Sequence, residues 1–336
     1  MDQKFTHARR TPLDVVEEFS GEFEFLSNFH VQPFVWQKQV APSAEHHYSA
    51  AKTASLPEKA LIYSQATPGR AKREGQKATL TPGWDDHLKT PCMASIIEAK
   101  FPHGSPMAQR LLMTGEALLI EGNVWHDNYW GQCTCERHYH WPGKNMLGRL
   151  LMNRRTALRN EPAPYTRVGI IGRQGQPPTP EEQGWLQEAL PVLMHSLRIN
   201  YGMQVAISGL SPGVATIWAR TALEQGIRLW GYLSSSDYAA RQAPSNRAIN
   251  TELVTQATRT LVQGRSYDVR WLRARDEVIE RDSSALIIPY KENGGDRRST
   301  ALIRKALASS TRIIRINVTR QEITTVTDEG DVPWTF

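Results

Sequence analysis

Apolar residues fall into two different rhythms along this chain. Beyond residue 167, short apolar runs alternate with helical stretches. Arg167-Val-Gly-Ile-Ile-Gly172, Gln204–Gly209, Arg228–Leu233, Ser284–Tyr290 and Arg312–Asn317 read as strands. Pro180–Tyr201, Gly213–Gln225, Trp271–Arg281 and Ser299–Ser309 read as helices. That alternation predicts an α/β domain of Rossmann-like type, with a parallel sheet and right-handed crossovers. Before residue 160 the rhythm is irregular. Glu45–Lys52, Ser95–Phe101, Pro106–Thr114 and Asn145–Arg155 have helical spacing, a turn enters a helix over Thr67–Gly75, and Ala117-Leu-Leu-Ile120 reads as a buried strand. This half is predicted to be α+β. A Pro-containing polar stretch over residues 154–166 reads as a linker. The expected organisation is a leader at 1–18, a first domain at 19–162, a second at 163–320 and a tail at 321–336.

Where the Ala117–Ile120 strand ends, Glu121-Gly-Asn-Val-Trp-His-Asp-Asn-Tyr-Trp-Gly131 packs two carboxylates, a His and three aromatics into eleven residues. Charges and large aromatics are costly to bring together in an interior without a purpose. Strand ends are also where ligands commonly sit. The segment therefore reads as the wall of a pocket for something flat and polar, such as a base or a ribose.

Composition narrows the class. At 336 residues the chain is long enough for two domains, and 40% apolar with 22% charged residues is ordinary for a soluble protein. No apolar stretch approaches the roughly 20 residues of a membrane span, and the N-terminus has no apolar signal core. Three cysteines, Cys92, Cys133 and Cys135, argue against a disulfide framework and for a reducing cytoplasm. The net charge of +6 is shared evenly, with 19 basic against 16 acidic residues in 1–160 and 21 against 18 beyond. That excess permits contact with phosphates without identifying nucleic acid as a partner.

Six segments of the first half carry a resemblance. They are Phe23–Phe29, Pro42–Lys52, Ala66–Lys72, Ala99-Lys-Phe101, Glu121–Gly131 and Gly143–Arg154. Their order and spacing resemble the NADAR family, the YbiA-like N-glycosidases, over roughly residues 19–156. The resemblance implies a compact α+β fold and cleavage of N-glycosidic bonds to ribose. The substrate classes it implies are ribosylamino-pyrimidine phosphates of the riboflavin pathway, and ADP-ribose attached to guanine in DNA.

The residues suit that chemistry. Breaking a C1′–N bond builds positive charge on the ribose, which a carboxylate stabilises, and the departing base needs an acid. Glu45 and Asp127 are the candidate stabilisers. Glu121 or His126 is the candidate acid, or a ligand for ribose hydroxyls. Lys52 shares a helix face with Glu45 and Tyr48; it is placed to pair with a carboxylate or phosphate, or to attack C1′ and form an imine. Trp130 and Phe25 offer stacking faces. Ser27, Asn28 and Asn145 offer hydrogen bonds, and Tyr48 and Gly131 complete the expected substrate-binding set. Trp125 is expected in the core, and at most one of His46 and His47 to face the site. Cys133-Thr-Cys-Glu-Arg-His-Tyr-His140 suggests zinc, but its spacing is tighter than that of most structural sites. It is expected to be a loop over the pocket, and no metal or cofactor is assigned.

In the second half, Gly172-Arg173, Ser208-Gly-Leu-Ser-Pro-Gly213, Arg273-Ala-Arg-Asp276 and Gly294-Gly-Asp-Arg-Arg-Ser-Thr300 resemble the SLOG superfamily near its YpsA-like branch, over about residues 167–317. That resemblance implies a Rossmannoid fold binding NAD-derived nucleotides, with Gly172, Arg173, Gly209, Ser211, Gly213, Arg275, Gly294 and Gly295 as its site. Asp276 stands where the superfamily has Asn, which puts enzymatic activity there in doubt. The whole reads as a cytoplasmic N-glycosidase acting on an ADP-ribose-containing nucleotide or ADP-ribosylated nucleic acid, with a regulatory nucleotide-binding domain, no membrane contact, and oligomerisation left open. The rival is a non-catalytic sensor of NAD-derived nucleotides.

Overall fold

A computed structural model describes residues 14–138, 141–159, 164–172, 178–291, 303, 304, 306, 311–327 and 330–335. The chain folds as two compact units. Residues 1–135 and 143–162 form the first; residues 163–336 form the second, to which the short stretch 136–142 is assigned. No described helix is long and apolar enough to cross a membrane.

The first unit packs helices around very short strands. Its core side chains include Leu26, Met93, Ile96, Ile97, Phe101, Leu111, Leu119, Leu147 and Leu151. Strand β1 (Val15–Val16) opens the unit and β2 (Phe34–Trp36) and β3 (Gln39–Ala41) form a hairpin. Helices α1 (Ala44–Ala51), α2 (Leu56–Tyr63), α3 (Pro68–Lys77), α4 (Lys89–Lys100) and α5 (Pro106–Met113) follow. Strand β4 (Leu118–Leu119) pairs in parallel with β1, β5 (Gly122–Asn123) pairs in parallel with β6 (Gln132–Cys133), and α6 (Met146–Leu158) closes the unit. Within residues 14–18, expected in a leader, β1 packs into this unit. Val16 is buried, and its carbonyl accepts the Ile120 N–H.

Start signals place the helices. Ser43, Ser55, Thr67 and Ser105 cap α1, α2, α3 and α5 through their hydroxyls, and Pro follows within two residues in the last three. Helix α2 escapes the apolar rhythm because it buries only Ile62.

The second unit is built on one sheet in the order β10-β9-β8-β7-β11-β12-β13-β14. Its first six strands are parallel: β7 (Arg167–Ile170), β8 (Val205–Ser208), β9 (Arg228–Ser235), β10 (Arg259–Gly264), β11 (Ala285–Tyr290) and β12 (Arg312–Asn317). Helices α7 (Pro180–Tyr201), α8 (Val214–Glu224), α9 (Pro244–Gln256) and α10 (Val269–Asp282) connect them. The chain lays strands outward from β7 to β10, then returns to the other side of β7 with β11. Most of the helix expected at Ser299–Ser309 lies outside the described residues. Strands β13 (Glu322–Thr327) and β14 (Gly330–Pro333) correct the expectation of a tail, because they extend the sheet antiparallel. Strand β14 is exposed and β13 is mostly half-buried, so they lack the apolar rhythm of a central strand.

Buried charge stabilises the second unit from within. The Asp282 side chain, fully buried, accepts from Tyr232 Oη at 2.8 Å and Arg281 Nε at 2.6 Å, while its carbonyl accepts from Arg167 Nε at 2.8 Å. Removing one partner of such a group strands the others in a dry interior. Asp282→Ala is therefore expected to destabilise the protein by about 3–5 kcal/mol. Urea unfolding followed by circular dichroism checks this, and a loss below about 1 kcal/mol would place the network outside the stabilising core.

Candidate active site

Helix α1 is buried along its length although its sequence, Ala-Glu-His-His-Tyr-Ser-Ala-Ala, is largely polar. Burial of such groups is tolerated only when each is satisfied. His46 bonds Ser43 Oγ at 2.7 Å and the Gln65 carbonyl at 3.0 Å. His47 bonds Tyr63 Oη at 3.2 Å and the Phe34 carbonyl at 3.3 Å, within rings of Phe34, Trp36 and Tyr63. Both imidazoles are thus architectural. Gly75 of α3 lets the two helices close, since a Cβ there would come within 2.6 Å of Ser49 Cβ.

Glu45 is 5% exposed and accepts from Ser49 Oγ at 3.0 Å. Burial pushes its carboxyl up from the usual range, against the opposing pull of Lys72 and Lys52; the Asp127 charge adds to the rise. Lys52, just past the end of α1, has its ammonium 5.2 Å from the centre of the Tyr48 ring. Burial lowers the Lys52 pKa, and Glu45 works against that change. Tyr48 itself is wedged between Trp84 and Trp130, each centred 5.4 Å away.

Glu121 follows β4. Its Oε2 is shut from solvent with no hydrogen-bond partner among the described residues. Burial, then the charges of Asp127 and Glu45, push its pKa up to about 8. Asp127 sits in a turn clamped by Asn123, whose side chain accepts the Asp127 N–H at 3.2 Å and donates to its carbonyl at 2.7 Å. Asp127 Oδ1 accepts the N–H groups of Tyr129 and Trp130 at 2.9 and 2.8 Å. One of its oxygens therefore shapes the turn. Three carboxyl groups, Glu45, Glu121 and Asp127, interact electrostatically within one site.

Two cations of this site carry no role in the motif reading. Lys72 of α3 acts on Glu45, Glu121 and Lys52, and its ammonium lies 5.5 Å from the centre of the Phe29 ring. Lys100, at the end of α4, is 3% exposed and donates to the Ser27 carbonyl at 2.6 Å; burial lowers its pKa to about 7. Both lie in segments that carry the resemblance, Ala66–Lys72 and Ala99–Phe101, and that was the available signal.

Several expected ligands are architectural instead. Phe25 is 3% exposed, packed edge-on to Phe101 with Arg110 over its face, and has no stacking face to offer. Phe29, 40% exposed beside Lys72, has one. Asn145 is fully buried: Oδ1 accepts the Glu121 N–H at 3.0 Å and Nδ2 donates to the Leu119 carbonyl at 2.7 Å, tying the start of α6 to the strand that leads to Glu121. Asn28 donates to Met93 Sδ at 3.6 Å and accepts the Glu45 N–H on its carbonyl. Ser27 Oγ accepts the Phe29 N–H. Gly131 is an approach point, where a Cβ would come within 2.1 Å of the Glu121 carbonyl. Trp130 is half-buried, edge-on to Tyr129 and Tyr48. Trp125, expected in the core, is 59% exposed.

In the second unit the turn after β8 is rigidly tied. Ser208 Oγ accepts the Leu210 N–H and donates to the Ala215 carbonyl, and Thr216 Oγ1 donates to the Ser211 carbonyl. Gly213 caps α8 at φ 95°, ψ −134°, a conformation open to glycine. It lines a cleft of about 440 Å³ whose wall also carries Thr216 and Arg220. Gly172 lies at the end of β7, where a Cβ would touch Ala215. Arg275, expected to contact nucleotide, is 1% exposed; its guanidinium bonds Asp276 Oδ1 twice and Ser211 Oγ at 3.0 Å. Gly209 makes room for it, since a Cβ there would lie 2.9 Å from Arg275 Cζ. Asp276 thus serves as the counter-ion of a buried arginine that braces the turn. Arg173, Gly294 and Gly295 lie outside the described residues.

The family comparison falls on the first unit. The NADAR domain model matches residues 16–159. An N-glycosidase of Nostoc punctiforme is 34% identical over 145 residues, covering 40% of this chain and 85% of that protein. The N-glycosidase YbiA of Escherichia coli is 29% identical over 158 residues, covering 46% of this chain and 94% of that protein. A riboflavin biosynthesis protein of Vibrio vulnificus is 34% identical over 154 residues, covering 44% of this chain and 38% of its own length.

The Glu121 carboxyl yields a pH prediction. Its pKa rises from 4.5 in the open chain to about 8 in the fold, so the folded state binds the extra proton and its contribution is lost as pH rises through that window. Lys100, lowered to about 7, contributes a slope of the opposite sign only above that pH. Between pH 4.5 and 7, wild type should therefore lose stability relative to Glu121→Gln by up to about 1.4 kcal/mol per pH unit. Denaturant titrations at stepped pH measure it; parallel curves would mean Glu121 is ionised in the fold.

Proposed function

This chain belongs to the NADAR domain family, and from that premise we propose that it is an N-glycosidase that releases a base from an ADP-ribose-containing substrate. The observation that carries the mechanism is Glu121: a shielded carboxyl with an unpartnered oxygen, held protonated near neutrality beside two other carboxyl groups. Such a group is an acid at the pH where a leaving base needs a proton.

In this reading Glu121 donates its proton to the departing nitrogen as the C1′–N bond breaks and the bond pair leaves with the base. The ribosyl cation is stabilised by the Glu45 and Asp127 carboxylates, with the charges of Lys72 and Lys52 opposing the rise that burial imposes on Glu45. Water adds to C1′ and yields its proton to a carboxylate. Lys52, with its lowered pKa, is the amine placed to capture an opened sugar as an imine if the reaction takes that route. Phe29 offers an exposed ring, and Lys72 a cation beside it, for a base and a phosphate.

ADP-ribose is favoured by the second unit, which we assign to nucleotide binding of the SLOG type. Its support is the parallel sheet, the glycine-capped start of α8 beside a cleft, and the turn braced by Arg275 on Ser211, since a helix N-terminus suits an anion. The sparse cysteine count, three in the chain, supports a reducing, cytoplasmic setting. A second reading takes ribosylamino-pyrimidine phosphates as substrate, favoured by the resemblance to the Vibrio riboflavin biosynthesis protein.

Incubation with ADP-ribosyl-guanine DNA and, separately, with a ribosylamino-pyrimidine phosphate, followed by chromatography of released base, tests both. Release from the DNA is expected. Glu121→Gln and Asp127→Asn should each lower kcat by on the order of a hundredfold or more, with folding retained. Cleavage of the pyrimidine phosphate alone would select the second reading. Cleavage of neither, or wild-type turnover by Glu121→Gln, would sink the mechanism.

A further inference from the structure

We propose that the loop following Trp125 binds one zinc ion through His126, Cys133 and Cys135, with His138, three residues along the same loop, as the fourth ligand. The motif reading counted donors only within Cys133–His140 and found the spacing too tight. The fold brings in His126 from the turn before, and His140 lies outside the described residues.

One donor atom from each of the four residues lies within 4.8 Å of every other. A tetrahedral zinc with bonds of about 2.0–2.3 Å sets its donors about 3.3–3.8 Å apart. Cys135 Sγ and His126 Nδ1 are already 3.3 Å apart. The remaining separations need to close by roughly an ångström or so, within the rotameric reach of Cys and His side chains.

Backbone, not chance side-chain placement, collects these donors. Strands β5 and β6 pair Asn123 with Cys133, and the Thr134 N–H reaches the Asn123 carbonyl at 2.8 Å. The Cys133 N–H donates to Asn128 Oδ1 at 2.9 Å. His126 holds φ 71°, a left-handed conformation that costs a non-glycine residue about 1 kcal/mol or more. Bonding to a metal through its ring would offset that cost. Cys133 is fully buried, while the other three donors reach the surface.

Two thiolates with two imidazoles form a borderline-soft set that selects zinc over magnesium or calcium. Four protein donors leave no open position, so the ion is structural. Its place explains its use. His126 precedes Asp127, and Asn128, which follows it, is bonded to Cys133. A metal here would pin both sides of the turn that carries Asp127.

The full chain, purified without chelator, is to be assayed by elemental analysis, with cobalt substitution as an independent readout. About one zinc per chain is expected, and cobalt should give intense tetrahedral d–d bands with thiolate charge transfer. Cys135→Ser and His138→Ala should each lower zinc affinity at least about tenfold, and Cys135→Ser should also reduce the charge-transfer intensity. These exposed or half-exposed positions spare the buried Cys133, so folding is retained. The proposal is overturned by a reduced, metal-free protein that gives no thiolate–cobalt band, by zinc content unchanged in the Cys135→Ser, His138→Ala double variant, or by a Cys133–Cys135 disulfide in protein alkylated at lysis. Because the readout is metal content and spectrum, its failure leaves the glycosidase reading standing.

Discussion

Three carboxyl groups repel one another, and burying them raises the cost of every negative charge. That constraint organises the first unit. Glu45, Glu121 and Asp127 coexist among lysines, with burial pushing the Glu121 carboxyl toward its protonated form. Lys72 comes from the middle of α3, Lys52 from the C-terminal end of α1 and Lys100 from the last residue of α4. Each is itself constrained: Lys52 and Lys100 are held in a poorly solvated environment where an ammonium binds its proton less tightly. The site is thus a set of mutually dependent protonation states, which is the condition under which one carboxyl acts as an acid and another as an anion near neutral pH.

Holding such a set requires a backbone that cannot relax. The residues around it are accordingly small, clamped or left-handed. Asn145 occupies a left-handed conformation so that its amide can bridge Leu119 and Glu121. Gly148 has no room for a side chain, because a Cβ would lie 2.1 Å from the Leu119 carbonyl. Asn123 and Asp127 brace one turn from both ends. These contacts contribute nothing to chemistry directly; they stop the carboxylates from moving apart.

The second unit handles buried charge in another way. Its ion pairs, Arg275 with Asp276 and Arg281 with Asp282, join neighbours in sequence and are nearly closed to solvent. Each is fully bonded, so it stiffens a helix–sheet contact rather than leaving a reactive group. In the turn after β8, Gly209 is buried and Gly213 is half-buried beside a cleft. The contrast separates a unit built around shifted protonation states from one whose buried charges are paired.

The chain's own pattern determined the element types of the second unit, because strand and helix periodicities are local properties of two to four residues. Helix α7 was legible to its ends from Thr179-Pro180 and Gly202. Where burial is slight the rhythm fails, and α2, α9, β10, β13 and β14 went unread for that reason. Residue types with a plain chemical use, Glu45, Lys52, Glu121 and Asp127, were legible too. Their partners were not. Glu121 depends on Asn145, 24 residues away, and Ser27 on Lys100, 73 residues away. Phe25 looked like a stacking face and Arg275 like a ligand, since side-chain type says nothing of direction. Only the tertiary structure decided that Phe25 turns inward, that Phe29 turns out, that Arg275 is spent on Asp276 and that His126 joins the two cysteines. Local spacing sets which face of an element a residue occupies; what that face meets is set by packing of the whole unit.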